Sequence, residues 1–232
     1  MNASTQQGFP RFNAVILAGG RSSRLDGTPK ALLQVSGRTL LGIALDAAAG
    51  ASALAVAGPG NLAATLEHAG AGALLVREDP PFSGPAAAVA AAFTSLAEHD
   101  AGAGRTTPDW TLVLACDMPF IAAAVDTLLA AAVASAAASG NGNGAGNAPE
   151  SLLAVDETGR AQPLAALYRS AELGEAVSQS DRPGGLANLS MKRLLARVQW
   201  RDVLVPAHST ADVDTWEDAR RWSVEADRPA QT

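Results

Sequence analysis

Apolar runs of strand length alternate along the chain with alanine-rich stretches of helix length. The runs Asn13–Ala18, Leu54–Ala57, Ala73–Val76, Trp110–Ala115, Ser151–Val155 and Val198–Val205 predict strands, since short apolar runs bounded by turn residues fit buried strands. Between them, Thr39–Ala49, Asn61–Ala69, Pro85–Glu98, Ile121–Ser139, Met191–Arg197 and Thr215–Trp222 predict helices. Several are so rich in alanine that an amphipathic period is hard to score, and their assignment rests on propensity and length. Strands alternating with helices form βα units around a parallel sheet. The expected fold is α/β: one Rossmann-like domain with an open, mixed but mainly parallel sheet and helices on both faces.

Two stretches interrupt the alternation. "EHDAGAGRTTPD" and "SAAASGNGNGAGNAPE" are rich in Gly, Asn, Ser and Pro, a composition that buries too little apolar area to offset ordering. They are expected to be flexible loops near residues 99–109 and 139–150, inside a domain spanning 12–222. A disordered segment is expected at 1–11 and a frayed tail at 223–232.

Composition narrows the class. The 232 residues are 48% hydrophobic, ample for a buried core. A formal net charge of -6 and a pI near 5.0 argue against a general nucleic-acid or membrane-surface binder. Any anionic ligand must then be held by a local cluster of Lys and Arg. The single cysteine, Cys116, excludes an intramolecular disulfide and a zinc site built of cysteines, and fits a reducing compartment. With no long apolar segment and a polar start, the chain is expected to be cytoplasmic.

The chemistry concentrates in "FNAVILAGGRSSRLDGTPKALLQV", Phe12 to Val35. In an open parallel sheet, ligands bind beyond the carboxyl ends of the strands, where this first strand delivers the chain. Gly19 and Gly20 let backbone N–H groups approach a ligand closely, and Arg21, Arg24 and Lys30 add three positive charges. That combination suits a polyphosphate; the plainer reading is a turn after a core strand with solvated cations. The pattern is neither a Walker A loop nor the G-x-G-x-x-G fingerprint. A second stretch, "TLVLACDMPFI", ends a strand in Asp117. A carboxylate there is placed to hold Mg²⁺, which takes oxygen ligands, or else to cap the helix beginning near Ile121.

"LAGGRSSRLDGTPKALL" resembles the signature loop of the MobA-like, molybdenum-cofactor guanylyltransferase-like nucleotidyltransferases: LAGG, then SxRMG, then a lysine followed by Ala/Pro-Leu-Leu. The resemblance implies a fold of the nucleotide-diphospho-sugar transferase type and a loop that wraps an NTP triphosphate. Leu17, Ala18, Gly19, Gly20, Arg21, Ser22 and Lys30 are then nucleotide-binding, and Arg24, Lys30 and Asp117 catalytic. Here Leu25-Asp26-Gly27 replaces the family's Met-Gly. "CDMP" resembles the family segment whose Asp binds Mg²⁺ and the nucleotide phosphates, which assigns the metal and nucleotide to Asp117. "REDPPFSGPAAAVAAAF" looks like the family's D-x-x-x-x-GPLAG region, which implicates Asp79, Gly84 and Pro85 in the base and ribose pocket; on residue type alone it is an ordinary helix start. The family often carries an Asn at the end of the second strand, where this chain reads "LAVAGPGNLA".

Later segments carry weaker signals. "QPLAALYRSAE" resembles a family segment beside the substrate, with Tyr168 and Arg169 as candidates against a buried tyrosine and a surface arginine. "GGLANLSMKRLL" resembles the second-substrate loop, with Lys192 and Arg193 as anion contacts. "STADVDTWEDARR" resembles the D-[VI]-[DN]-T-x-E-D form that closes many such nucleotidyltransferases, and the resemblance implies Asp214 as a candidate second metal ligand; the alternative is that Asp214 or Thr215 caps the following helix. His68, His99 and His208 have no metal-ligand spacing and read as surface; Trp200, Trp216 and Trp222 read as packing residues.

The resemblance implies Mg²⁺-dependent transfer of GMP from GTP to the phosphate of molybdopterin, with a phosphorylated pterin as second substrate and transient contact with molybdoenzymes or their chaperones. A CTP-dependent transferase acting on molybdopterin or on a sugar or polyol phosphate shares the phosphate-holding parts. A catalytically idle nucleotide-binding protein is the alternative of another class.

Overall fold

Every residue of β1 (Phe12–Leu17) is buried, as in a central strand covered on both faces. The computed structural model describes residues 10–20, 23–139, 150–180 and 185–226. After β1 come β2 (Gln34–Val35), β3 (Arg38–Thr39), α1 (Leu40–Ala47), β4 (Leu54–Ala57), α2 (Ala63–His68), β5 (Leu74–Val76) and α3 (Pro85–Gly102). The chain continues through β6 (Trp110–Ala115), α4 (Ile121–Ser139), β7 (Ser151–Val155), β8 (Ala161–Arg169) and α5 (Ser170–Ser180). It ends with α6 (Met191–Leu194), β9 (Trp200–Leu204), α7 (Trp216–Arg221) and β10 (Val224–Glu225).

Seven strands form one sheet in the order β5-β4-β1-β6-β8-β7-β9. β1 runs parallel to β4 and β6, and β4 to β5, while β8 is antiparallel to β6 and β7. Side chains alternate across β1. Phe12, Ala14 and Ile16 enter a core shared with α1, α2 and α4; Val15 and Leu17 enter one shared with α3, α5 and α6. The open, mixed sheet with helices on both faces is the fold class read from the sequence.

The sequence reading missed β8, and the reason is chemical. Pro163 sits within it, and proline demotes a strand because it cannot donate to the ladder. The β7–β8 register shifts between Leu153 and Ala154, whose partners are Ala166 and Gln162. That irregularity lets the strand pass Pro163. The helix α5 was also unpredicted, although Leu173, Ala176 and Val177 are spaced to bury one face.

A second, three-stranded sheet, β10-β2-β3, was unpredicted too. Its hairpin turns at Ser36 and Gly37, both at positive φ (50° and 77°), as a two-residue hairpin turn matching strand twist requires. Leu25, Leu33, Leu40, Val213, Ala219 and Val224 form a separate small core beneath it. Val224 is buried there, which corrects the expected frayed tail at 223–225; residues 227–232 lie outside the described residues. The loop expected near 99–109 begins later, since α3 runs to Gly102. Asp100 is buried in that last turn, accepting from the Asn13 amide at 2.7 Å and from Arg105. The expected segments 1–9 and 140–149 lie outside the described residues.

Candidate functional site

The parallel strands β1, β4, β5 and β6 all end at one edge of the sheet, and the antiparallel β8 begins there. A cavity of about 260 Å³ opens at this edge. Its floor is apolar, with Leu17, Ala57, Pro85, Ala88 and Leu164. Its polar groups are Lys30 and Asp117 toward β6, Glu78 beyond β5, and the backbone of Gly19 and Gly20.

The glycine loop is anchored where it leaves the sheet. Ala18 N–H donates to the Ala57 carbonyl (2.8 Å), and Cys116 N–H to the Leu17 carbonyl (3.0 Å). Gly20 has φ +143°, a conformation that L side chains rarely adopt. Arg21 and Ser22 lie outside the described residues. The chain resumes in a 3-10 turn, Ser23–Leu25, held by burial of Leu25. A second 3-10 turn, Lys30–Leu32, starts just after Pro29 and buries Ala31 beneath it. Lys30 thereby opens a hydrogen-bonded turn, its carbonyl accepting from Leu33 N–H at 3.0 Å.

Three chain segments converge on the lysine. Its Nζ donates to Asp117 Oδ2 at 2.9 Å and to Asp214 Oδ1. Asp117 follows β6 directly, and its carbonyl accepts from Val213 N–H at 3.0 Å, which docks the C-terminal segment beside it. Asp214 is left to face Lys30 because capping of α7 falls to its neighbours. The Thr215 hydroxyl accepts from Asp218 N–H (3.1 Å), while the Asp218 carboxylate accepts from Thr215 N–H (2.9 Å). The Thr215 hydroxyl also donates to the Asp218 carboxylate (2.7 Å), and that bond, followed by those from the Thr215 and Asp214 N–H groups, holds the Asp218 carboxyl below the usual range. Trp216 Nε1 donates to Asp26 Oδ2 (2.9 Å), tying α7 back to the turn that follows the glycine loop.

The electrostatics are those of a compressed anionic cluster around one cation. Burial works against the Lys30 ammonium, but Asp117 and Asp214 outweigh it and raise its pKa. Asp212 has its carboxyl pushed up, first by burial and then by Asp214 and Asp117. Cys116 is buried against the cavity, and burial with the nearby Asp117 charge pushes its thiol up. It is a small apolar wall residue.

For a divalent cation, the donor chemistry fits. Asp117 and Asp214 already share one cationic centre, the Lys30 ammonium. Mg²⁺ commonly takes one or two carboxylates together with substrate phosphates. Among the described residues no cluster of three or more His, Cys, Asp or Glu could hold a metal alone. The pair would therefore hold Mg²⁺ together with a phosphorylated ligand.

Most residues proposed from the sequence meet here. Leu17, Gly19, Gly20, Lys30, Gly84, Pro85 and Asp117 line the cavity, and Ala18 is buried at the loop's origin. Asp79 does not line it: the side chain is exposed, and its neighbour Glu78 faces the cavity instead. Arg24 is exposed on its 3-10 turn and is not part of the lining. Glu78, Phe82, Ala57 and Leu164 were missed as cavity residues. Which of two adjacent carboxylates turns inward cannot be read from spacing.

The antiparallel direction of β8 corrects another expectation. Arg169 pairs in register with Trp110, at the start of β6, so it lies a strand's length from Asp117, about 20 Å. There it stacks 4.5 Å over the Trp110 ring, beside Asp109. Tyr168 is fully buried, and its hydroxyl donates to the Pro163 carbonyl (2.7 Å). Leu164, from the other end of the same segment, reaches the cavity. The histidines are exposed as expected, and His208 pairs with Glu157. Trp216 and Trp222 pack on the small core, whereas Trp200 is 43% exposed, contrary to its assignment as a packing residue.

Comparison with known proteins places this geometry in a family. Residues 14–203 match the family described as MobA-like NTP transferase domain. A molybdenum cofactor guanylyltransferase of Rhodopseudomonas palustris (strain HaA2) is 37% identical over 115 residues, 48% of this chain and 50% of that protein. The match thus spans half the length of that curated relative. Among solved structures, Rv0371c of Mycobacterium tuberculosis H37Rv is 25% identical with a TM-score of 0.60, covering 92% of this chain and 98% of that one. Molybdopterin-guanine dinucleotide biosynthesis protein A of Archaeoglobus fulgidus shares the fold at 16% identity and TM-score 0.59, with 90% and 96% covered. So does 2-C-methyl-D-erythritol 4-phosphate cytidylyltransferase of Thermus thermophilus, at 21% and 0.56, with 91% and 97% covered.

Proposed function

Since the chain belongs to the MobA-like NTP transferase family, a family of nucleotidyltransferases, we propose that it transfers GMP from GTP to the phosphate of molybdopterin and releases pyrophosphate. The observation that carries this reading is that the glycine turn, Lys30 and Asp117 line one cavity, and that Asp214 joins them through its ion pair with Lys30. A glycine turn with a lysine held by two carboxylates suits a triphosphate, and the named relative from Rhodopseudomonas supports the guanylyl group and the acceptor.

The chemistry asks little of acid–base catalysis. A phosphomonoester has a second pKa of ~6 and is already anionic at neutral pH, so its oxygen attacks the α-phosphorus without a general base. A new P–O bond forms as the bond to the β-phosphate oxygen breaks, and that electron pair leaves on pyrophosphate. What the protein must supply is positioning and charge. Gly19 and Gly20 offer backbone N–H groups to the phosphates, and Lys30 stabilises the charge growing on the leaving group. Asp117 and Asp214 would hold Mg²⁺, which supplies charge neutralisation at the reacting phosphates. Arg24, four residues after Gly20 and outside the cavity lining, is proposed to meet the pyrophosphate as it leaves.

Pyrophosphate release tests this, assayed with GTP and CTP, each with and without molybdopterin. Release with GTP that depends on molybdopterin and stops with a chelator is the expected result; release with CTP instead transfers the reading to a cytidylyltransferase. Binding with no release under any condition would leave an idle nucleotide-binding protein.

A further inference from the structure

Lys30, Asp117 and Asp214 stand on three separate segments of the chain, and the packing around one ring joins all three. Trp222 closes α7 as its C-cap, its N–H donating to the Asp218 carbonyl at 2.9 Å. Phe120, three residues beyond Asp117, meets the Trp222 ring edge-on, with centroids 5.5 Å apart and planes at 78°. His208, on the segment that leads to Asp214, lies against the same ring at 5.3 Å and 47°. The ring also packs on the small core that buries Leu25 and Leu33, on either side of Lys30 in the chain. The Arg221 guanidinium sits over it at 4.8 Å.

Each of these contacts has a short, hydrogen-bonded path to a charged group. Ile121 N–H donates to the Met118 carbonyl (3.3 Å), so the chain from Asp117 to Phe120 is a closed turn entering α4. His208 adopts φ +64°; its N–H donates to Glu157 Oε2 (3.3 Å), and its Nδ1 lies 2.9 Å from Glu157 Oε1. Beyond it, Ala211 N–H returns to the His208 carbonyl (3.0 Å), Ser209 and Thr210 are buried, and Val213 N–H reaches the Asp117 carbonyl. A shift of either turn must therefore move the Trp222 ring or break its packing. Edge-to-face and tilted aromatic contacts resist such a shift because they depend on orientation as well as distance.

We propose that Trp222 is a positioning residue, which sets the separation of Asp117 and Asp214 and so their competence to take a divalent cation together. Mg²⁺ demands near-octahedral geometry at about 2.0–2.1 Å, so two carboxylates carried on different turns serve it only if the turns are fixed to each other. The Val213–Asp117 hydrogen bond fixes them at one point, about which they could still rotate. The contacts of Trp222 with Phe120 and His208 supply a second point and stop that rotation. In the free protein the Lys30 ammonium also ties the two carboxylates. Once Lys30 turns to the phosphates that tie is lost, and the ring remains. The inference rests on the nucleotidyl-transfer reading above and adds to it a residue that touches neither the nucleotide nor the metal.

The test uses the full chain and calorimetric binding of GTP in EDTA and of GTP with Mn²⁺, with no acceptor present so that nothing is consumed. The ratio of the two affinities reports what the metal adds, and a general weakening of nucleotide binding cancels from it. Wild-type protein is expected to prefer the Mn²⁺ complex, and Trp222→Ala to cut that preference by about tenfold or more, the usual cost of losing a support behind metal ligands. Trp222→Phe keeps an aromatic ring and is expected to stay within about threefold of wild type, the worth of one ring contact. Val177→Ala, in the core shared with α3 and α6, is a packing change away from the ring and is expected to keep the wild-type ratio. His208→Ala, which removes one exposed contact of the ring, is expected to lower the ratio by about threefold, and it carries the test if Trp222→Ala does not fold. An unchanged ratio in the folded Trp222 or His208 variant, or an equal fall in Val177→Ala, overturns the role of Trp222 and leaves nucleotide transfer standing. Failure of the wild type to bind GTP in either form overturns the parent reading and this one with it.

Discussion

Replacing Lys30 by methionine keeps the length of the side chain and removes the cation that Asp117 and Asp214 share. The three side chains are 21%, 22% and 46% exposed. Exposed ion pairs are worth ~0.2–1 kcal/mol and fully buried ones cost ~3–5 kcal/mol when broken. The half-buried pair with Asp117 then falls near ~1–2 kcal/mol and the more exposed pair with Asp214 at or below ~1 kcal/mol. A loss of about 2 kcal/mol lowers the melting temperature of a chain this long by roughly 4–8 °C. The vacated point lies between two carboxylates with Asp212 close by, so a divalent cation should fill it. Melting curves by circular dichroism at neutral pH are expected to show Lys30→Met destabilised in EDTA, and stabilised by millimolar Mg²⁺ more than wild type. Transfer should fall by about 10²-fold or more, as when a preorganised charge-stabilising donor is lost. Equal melting of variant and wild type in EDTA, or equal Mg²⁺ shifts in both, would refute the reasoning.

Other consequences are open to simple tests. The raised Asp212 pKa means that the folded state holds this proton more tightly than the unfolded chain. Its contribution is therefore a penalty, absent at low pH and fully present above the folded-state pKa. Asp212→Asn should melt higher than wild type at neutral pH, with the difference vanishing below about pH 3.9, the unfolded aspartate value; a lower melting point at neutral pH would contradict this. At Gly19 an added Cβ meets its nearest neighbour, the Ala57 carbonyl oxygen, at 3.8 Å, whereas Gly20 is held at φ +143°. Gly19→Ala should keep wild-type stability and Gly20→Ala lose about 1 kcal/mol or more, and equal melting of the two variants would show that the loop relaxes freely. Asp100→Ala strips the partner from the buried Asn13 amide and from Arg105, and should cost about 3 kcal/mol without changing the nucleotide affinity of the folded protein; an altered affinity would mean that the two ends of the sheet are coupled.

The sequence disclosed elements whose residues carry a strong local signal. The all-buried β1 and β6, and the long α4, stand where apolar runs and alanine placed them. Lys30 and Asp117 could be paired across 87 positions because the parallel-sheet rule puts strand ends at one edge. Elements decided by tertiary context escaped. β8 carries a proline, and its direction, which sends Arg169 to the far end of the sheet, depends on neighbours. β2, β3 and β10 are two residues each, below the length at which alternation can be scored. They are stabilised by the small core that joins Leu25 and Leu33 to Val213 and Val224. That same core draws Asp214 to the site, so the acidic tail segment was legible as chemistry before it was legible as position. Glu78 and Asp79 differ by one residue and by which way the turn at Phe82 faces them.

The most direct measurement is a crystal structure of the protein with GTP and Mg²⁺. The account predicts the triphosphate between the Gly19–Gly20 turn and Lys30, and the metal on Asp117 and Asp214. Nucleotide bound elsewhere on the molecule, or in this cavity with its base at Lys30, would contradict it.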